Sequence, residues 1–136
     1  MKISAKDEYA CAAVLELALN YDSETPIRVQ DIAERQGIPM KFLFQIMQIL
    51  KRTDIVRSRR GTDGGYVLTR PPSQITLGEV IRSMSGPFVQ LSCADSNFKP
   101  IWDEVDCAIG AVLNNITFEE LVRRKRASER QLMYHI

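Results

Sequence analysis

Only Gly37, Ile38 and Pro39 separate two helical patterns in this chain, and that short break constrains the fold more than any other stretch. Ahead of it, Val29, Ile32 and Ala33 mark a short helix that stops at Gly37, a residue suited to a left-handed C-terminal position. Behind it, Leu43, Ile46, Met47 and Leu50 recur at i, i+3, i+4 and i+7, so Met40 to Arg52 is an amphipathic helix with Lys41, Gln45, Gln48 and Arg52 on its other face. Two amphipathic helices this close in the chain must pack across a tight turn. Ile55 to Ser58 and Tyr66 to Thr69 then read as two short strands. The linker Arg59-Arg60-Gly61-Thr62-Asp63-Gly64-Gly65 joins them, its glycines permitting the positive backbone angles of a hairpin tip. Helix, tight turn, helix and basic hairpin is the order of a winged helix-turn-helix.

The flanking segments place further demands on packing. Tyr9 to Leu19 is nearly all apolar, with Glu16 its one charge, so a helix there has to be covered on more than one side. After Pro71-Pro72, Thr76 and Glu79 have capping-box spacing, and Leu77, Val80, Ile81 and Met84 give the next helix a buried stripe that ends at Gly86-Pro87. Phe88 to Lys99 shows no period and reads as a loop holding Cys93. From Pro100 onward, Ile101, Val105, Ala108, Ile109, Val112 and Leu113 form a continuous apolar stripe, which must pack against something large. Thr117 and Glu120 repeat the capping-box spacing and open a last short helix running into Arg123 to Arg126. The fold class expected is mostly α with a small β-hairpin wing.

Composition mainly excludes. No apolar run approaches the roughly 20 residues of a membrane span, and the first residues lack the long apolar stretch of a secretory signal, so the cytoplasm is the expected compartment. An enzyme is not expected, because the one histidine, His135, is next to the last residue and no phosphate-binding or dinucleotide fingerprint occurs. Net charge is +1, so an argument for nucleic acid has to rest on distribution. Lys51, Arg52, Arg57, Arg59 and Arg60 gather against a single Asp54, while Asp103, Glu104 and Asp106 collect in the second half.

Long donors on the second helix can reach base edges or phosphate oxygens, and arginines on the hairpin supply salt-sensitive attraction to the backbone. The candidate DNA contacts are Arg28, Lys41, Phe42, Gln45, Gln48, Arg52, Arg57, Arg59, Arg60, Gly64, Gly65 and Tyr66, the two glycines allowing the wing's main chain to approach a duplex. The competing reading is a winged-helix protein-interaction module without DNA binding, to which Phe44 and the acidic cluster around Asp103 lend some support.

Several motifs in fixed order carry a resemblance. Met1-Lys2-Ile3-Ser4, Asp31-Ile32-Ala33-Glu34-Arg35-Gln36-Gly37-Ile38, Val56-Arg57-Ser58-Arg59-Arg60-Gly61 with Gly64-Gly65-Tyr66-Val67-Leu68, Ile75-Thr76-Leu77-Gly78-Glu79-Val80-Ile81 and Leu113-Asn114-Asn115-Ile116-Thr117 make the chain similar to the Rrf-two family of bacterial winged-helix transcriptional regulators. The resemblance implies a dimeric DNA-binding regulator. Its segments would be a winged helix-turn-helix over 1–86, a sensor loop over 87–99, a dimerisation helix over 100–116, and a C-terminal helix and tail over 117–136. Ile101, Val105, Ile109 and Val112 would face the twin helix near the two-fold axis. The paired recognition helices would read a roughly palindromic operator with half-sites about 34 Å apart. Lys41, Phe42 and Gln45 fall where family members contact DNA, and Arg60 matches the arginine that opens the wing.

The resemblance leaves the signal open. Members with an iron–sulfur cluster carry three close cysteines in the loop before the long helix, whereas this chain has Cys93 there and Cys107 on the helix, too few to hold a cluster alone. One member adds a glutamate and a histidine from the partner's first helix. Glu8 matches that glutamate and Ala12 stands at the histidine position, so the candidate ligands are Cys93, Cys107 and Glu8. A thiol switch is the second reading, against Cys11 and Cys107 as small buried hydrophobes. A third is a cysteine synthase as partner, gripping the C-terminal Ile136, against a tail packed on its own dimer.

Overall fold

The computed structural model describes residues 1–61, 64–93 and 95–134. Helix α1 (Ala5–Leu19) starts at a reciprocal cap, with the Ser4 hydroxyl accepting from the Asp7 amide at 3.1 Å and the Asp7 carboxylate accepting from the Ser4 amide at 2.9 Å. Its apolar circumference is covered as the sequence demands: α1 touches α2 (Val29–Gln36), α3 (Met40–Arg52), α4 (Leu77–Ser85), α6 (Phe118–Tyr134) and strand β2 (Gly65–Leu68). Ala10, Ala13 and Val14 are fully buried at its centre.

Helix α2 ends at Gly37 with φ +65°, and α3 follows after Pro39, so the tight turn forms where glycine and proline favour it. Leu43, Ile46, Met47 and Leu50 are fully buried and join Ile32, Ile55, Ile75 and Val80 in one core. Strand β1 (Val56–Arg59) pairs antiparallel with β2 in the register Val56 to Leu68 through Arg59 to Gly65. Both strands sit one residue off the sequence expectation. The amide of Ile55 closes the end of α3 on the Leu50 carbonyl at 2.9 Å, which leaves Val56 to begin the ladder.

Of the two expected capping boxes, the Thr76 and Thr117 hydroxyls do accept from the amides of Glu79 and Glu120. The glutamates do not reach back. Glu79 binds Arg70 at 2.7 and 2.8 Å, and Glu120 binds Arg123 and Arg124. Helix α6 is long, not short as expected: 17 residues. Phe118 and Val122, with half-buried Leu121 beside them, anchor it in the core that α1 occupies, and from Arg123 to Tyr134 it is exposed. Pairs of Glu119 with Arg123, Glu120 with Arg124 and Lys125 with Glu129 support that polar run, with glutamate N-terminal to the base in the first two, which apolar periodicity does not register. Among the described residues no helix is long and apolar enough to cross a membrane.

Candidate nucleic-acid interface

The buried stripe of α3 decides what its other face can present. With Leu43, Ile46, Met47 and Leu50 turned inward, Lys41, Phe44, Gln45, Gln48, Lys51 and Arg52 are all exposed and share the outward face. Lys41, Gln45, Gln48 and Arg52 therefore stand as the sequence places them. Phe42 does not. It is half-buried and stacked on Tyr9 of α1, with ring centroids 6.2 Å apart, and the Lys41 ammonium lies 5.0 Å from its ring centroid. That arrangement makes Phe42 a platform that steadies Lys41 by cation–π attraction. Tyr9 is thus a supporting residue that sequence reading passes over as core, since nothing in its spacing signals the stack. Lys51, counted in the sequence with the basic cluster, and Phe44, weighed there for a protein-interaction module, fall on the same helical period as Lys41.

Arg28 is the exposed residue that opens α2. On the hairpin, Arg57, Arg59 and Arg60 are exposed, and Arg59 donates to the Glu24 carbonyl at 3.4 Å. The glycines have an internal reason as well as any external one. A Cβ on Gly65 would lie 2.5 Å from the carbonyl carbon and oxygen of Ile27, because Ile27 runs beside the hairpin and exchanges two backbone bonds with Tyr66, at 3.0 and 2.8 Å. Gly64 would meet the Arg59 and Gly61 carbonyls at 2.7 and 2.9 Å. The positive φ expected at the tip belongs to Gly61, at +121°, and to neither Gly64 nor Gly65. Tyr66 is half-buried at this crossing.

Helix α5 (Lys99–Leu113) is the opposite case, apolar yet uncovered. Only Gly110 is buried along it. Ile101, Val105 and Val112 are exposed, Val112 at 61%, and Ile109 is half-buried. What attaches α5 is a clamp around Asp106, whose carboxylate accepts from the Val89 amide at 2.8 Å and from Arg82 of α4 at 3.2 Å. The Arg82 guanidinium in turn lies 4.3 Å from the centroid of the Phe88 ring. The Val89 amide, and after it the Arg82 charge, holds the Asp106 carboxyl below the usual carboxylate range.

The candidate ligands stay apart. Cys93 is exposed in the loop before α5, Cys107 is exposed on α5, and Glu8 is exposed on α1. Among the described residues no three His, Cys, Asp or Glu side chains gather so as to hold a metal, so the donors of one chain do not fit a cluster. Cys107 is also no buried hydrophobe in the single chain. Cys11 is half-buried, and burial first, then the charges of Glu8 and Asp7, push its thiol up to about 12. Such a thiol is protonated at neutral pH and a poor nucleophile. Ile136 and His135 lie outside the described residues.

Known proteins are similar to this chain in sequence and fold. The chain is 34% identical over 143 residues to the helix-turn-helix-type transcriptional regulator IscR of Cronobacter sakazakii, covering 96% of this chain and 88% of that one. The structure of T. potens IscR superposes with a TM-score of 0.77 at 36% identity, over 98% of this chain and 96% of the other. That of CymR, the global cysteine regulator of B. subtilis, does so with a TM-score of 0.78 at 31% identity, over 91% and 98%. Residues 3–124 match the family model Rrf2, described as an iron-dependent transcriptional regulator. Fold and sequence agree over nearly the whole length: the chain belongs to the Rrf2 family, a family of transcriptional regulators and not of enzymes.

Proposed function

We propose that this chain is a sequence-specific, DNA-binding transcriptional regulator that works in the cytoplasm as a homodimer and represses by occupying a roughly palindromic operator. The observation that carries the reading is the outward stripe of α3, whose donors Lys41, Gln45, Gln48, Lys51 and Arg52 are exposed while every residue of the opposite stripe is sealed in the core. In this reading α3 enters the major groove, Lys41, Gln45 and Gln48 meet base edges, and Arg28, Arg52, Arg57, Arg59 and Arg60 meet phosphates. Residues 1–86 form the DNA-binding unit. The uncovered apolar side of α5, with Ile101, Val105, Ile109 and Val112, pairs with its twin.

The signal reaches DNA through the segment between α4 and α5. The family description supports an iron-dependent signal, and because one chain does not supply a ligand set, a cluster here requires Cys93 and Cys107 of one protomer with Glu8 across the dimer. A partner enzyme, a cysteine synthase binding at Ile136, is the other signal. The raised Cys11 thiol disfavours a switch at that residue.

The test is equilibrium binding to a palindromic duplex as a function of salt. The logarithm of affinity should fall linearly with the logarithm of salt concentration, and Arg60→Ala should make the slope shallower by about one phosphate contact per protomer. Binding indifferent to salt would overturn the DNA reading. An absorption spectrum of protein prepared without oxygen decides the signal: visible bands lost in Cys93→Ala support the cluster, and a colourless protein with full affinity removes it.

A further inference from the structure

The outward stripe of α3 contains one residue that cannot donate a hydrogen bond. Phe44 is 50% exposed, between Lys41 and Gln45 on the face that otherwise carries only amides and cations. The packing of the helix does not need it, because the opposite stripe already fills the core. It is also isolated: among the described residues, no other large hydrophobic side chain is exposed anywhere between Ile3 and Leu91. A docking surface for protein would present a contiguous apolar patch, and a single phenyl ring among lysine, glutamine and arginine does not make one.

We infer that Phe44 is a specificity-determining residue that reads the C5-methyl group of a thymine in the major groove. The inference rests on the DNA reading above and adds a base identity to it. Along the major-groove edges, three of the four bases present only hydrogen-bonding groups to a side chain, and thymine adds the one apolar group. A ring pressed on a donor or acceptor would strip it of water and return nothing, whereas contact with the methyl removes apolar surface from water on both sides. Phe44 lies one helical turn in from Met40, in the N-terminal part of the helix from which base contacts are made in helix-turn-helix complexes. Lys41 and Gln45, on either side of it in the stripe, would fix the neighbouring base pairs and leave the thymine in register with the ring.

The experiment takes the tightest duplex that the full chain selects from a randomised double-stranded pool and replaces its thymines one at a time by deoxyuridine, which pairs identically and lacks only the methyl. At one thymine of each half-site the replacement should weaken binding roughly fourfold, and about fifteenfold when both half-sites carry it, the loss for one buried methyl per site. Phe44→Ala, on an exposed position and so expected to melt like the parent, should bind the thymine and uracil duplexes alike. Phe44→Leu should retain part of the discrimination. Parent protein indifferent to uracil at every position, or a Phe44→Ala variant as sensitive as the parent, would overturn the assignment while salt-dependent binding left the DNA reading standing. If no duplex is selected at all, both readings fall together.

Discussion

At the scale of single residues, several side chains and glycines expected at DNA also have partners within the protein. Phe42, placed by family position among the DNA contacts, spends its ring on Tyr9 and on the Lys41 ammonium. Gly65 shows the same inward logic in the backbone. Because Ile27 crosses it closely, Gly65→Ala drives a methyl to 2.5 Å from a carbonyl that cannot rotate away, and either the Ile27–Tyr66 bridge or the hairpin register must give. We expect a loss of about 1–3 kcal/mol in urea denaturation, the ordinary range for overpacking. An unchanged midpoint would mean that the crossing is looser than described.

At the scale of elements, α5 and α6 are helices for different reasons. Helix α6 holds its polar half by charge pairs along its own surface, each worth only a few tenths of a kcal/mol. Helix α5 has a continuous apolar side and almost nothing of its own chain to bury it against. Fully covering a valine or isoleucine stabilises by about 1.5–3 kcal/mol, so pairing α5 with a second copy recovers a driving force that the lone chain leaves unused. The double variant Val105→Asp, Val112→Asp should therefore sediment as a monomer with its helical content retained. Its affinity for a palindromic duplex should fall by at least about tenfold, since two linked half-sites become two separate encounters. A variant that stays dimeric would place the subunit contact elsewhere.

At the scale of the whole molecule, the winged unit and α5 communicate through few contacts, and Asp106 is central to them. Its carboxyl is held below the usual range by the Val89 amide and then by Arg82, so the folded state favours the charged form. The clamp contributes fully above the unfolded value, about 3.9, and is lost as pH falls through the lower folded value. Trp102, the chain's one tryptophan, lines the same hollow as Val89 and Asp106 and serves as reporter. Its fluorescence should shift on acidification below about pH 4, and Asp106→Asn should show the acid form's signal already at neutral pH. A signal in Asp106→Asn identical to the parent's across the titration would show that the clamp does not control the seating of α5.

The sequence alone determined the order of elements in the winged unit, because Gly37, Pro39 and the apolar period of α3 are local features that act through backbone preference and helical geometry. It also determined which face of α3 turns outward, since only one face is apolar. Tertiary structure decided what local pattern does not encode. Phe42 became a platform through a residue far away in the chain, Gly65 was required by the backbone bridge between Ile27 and Tyr66, and Phe118 and Val122 closed the core of a unit that reads as ending before them. The physical reason is the same in each case. Periodicity reports which side of an element is apolar, whereas the partner that covers that side is chosen by how distant segments pack.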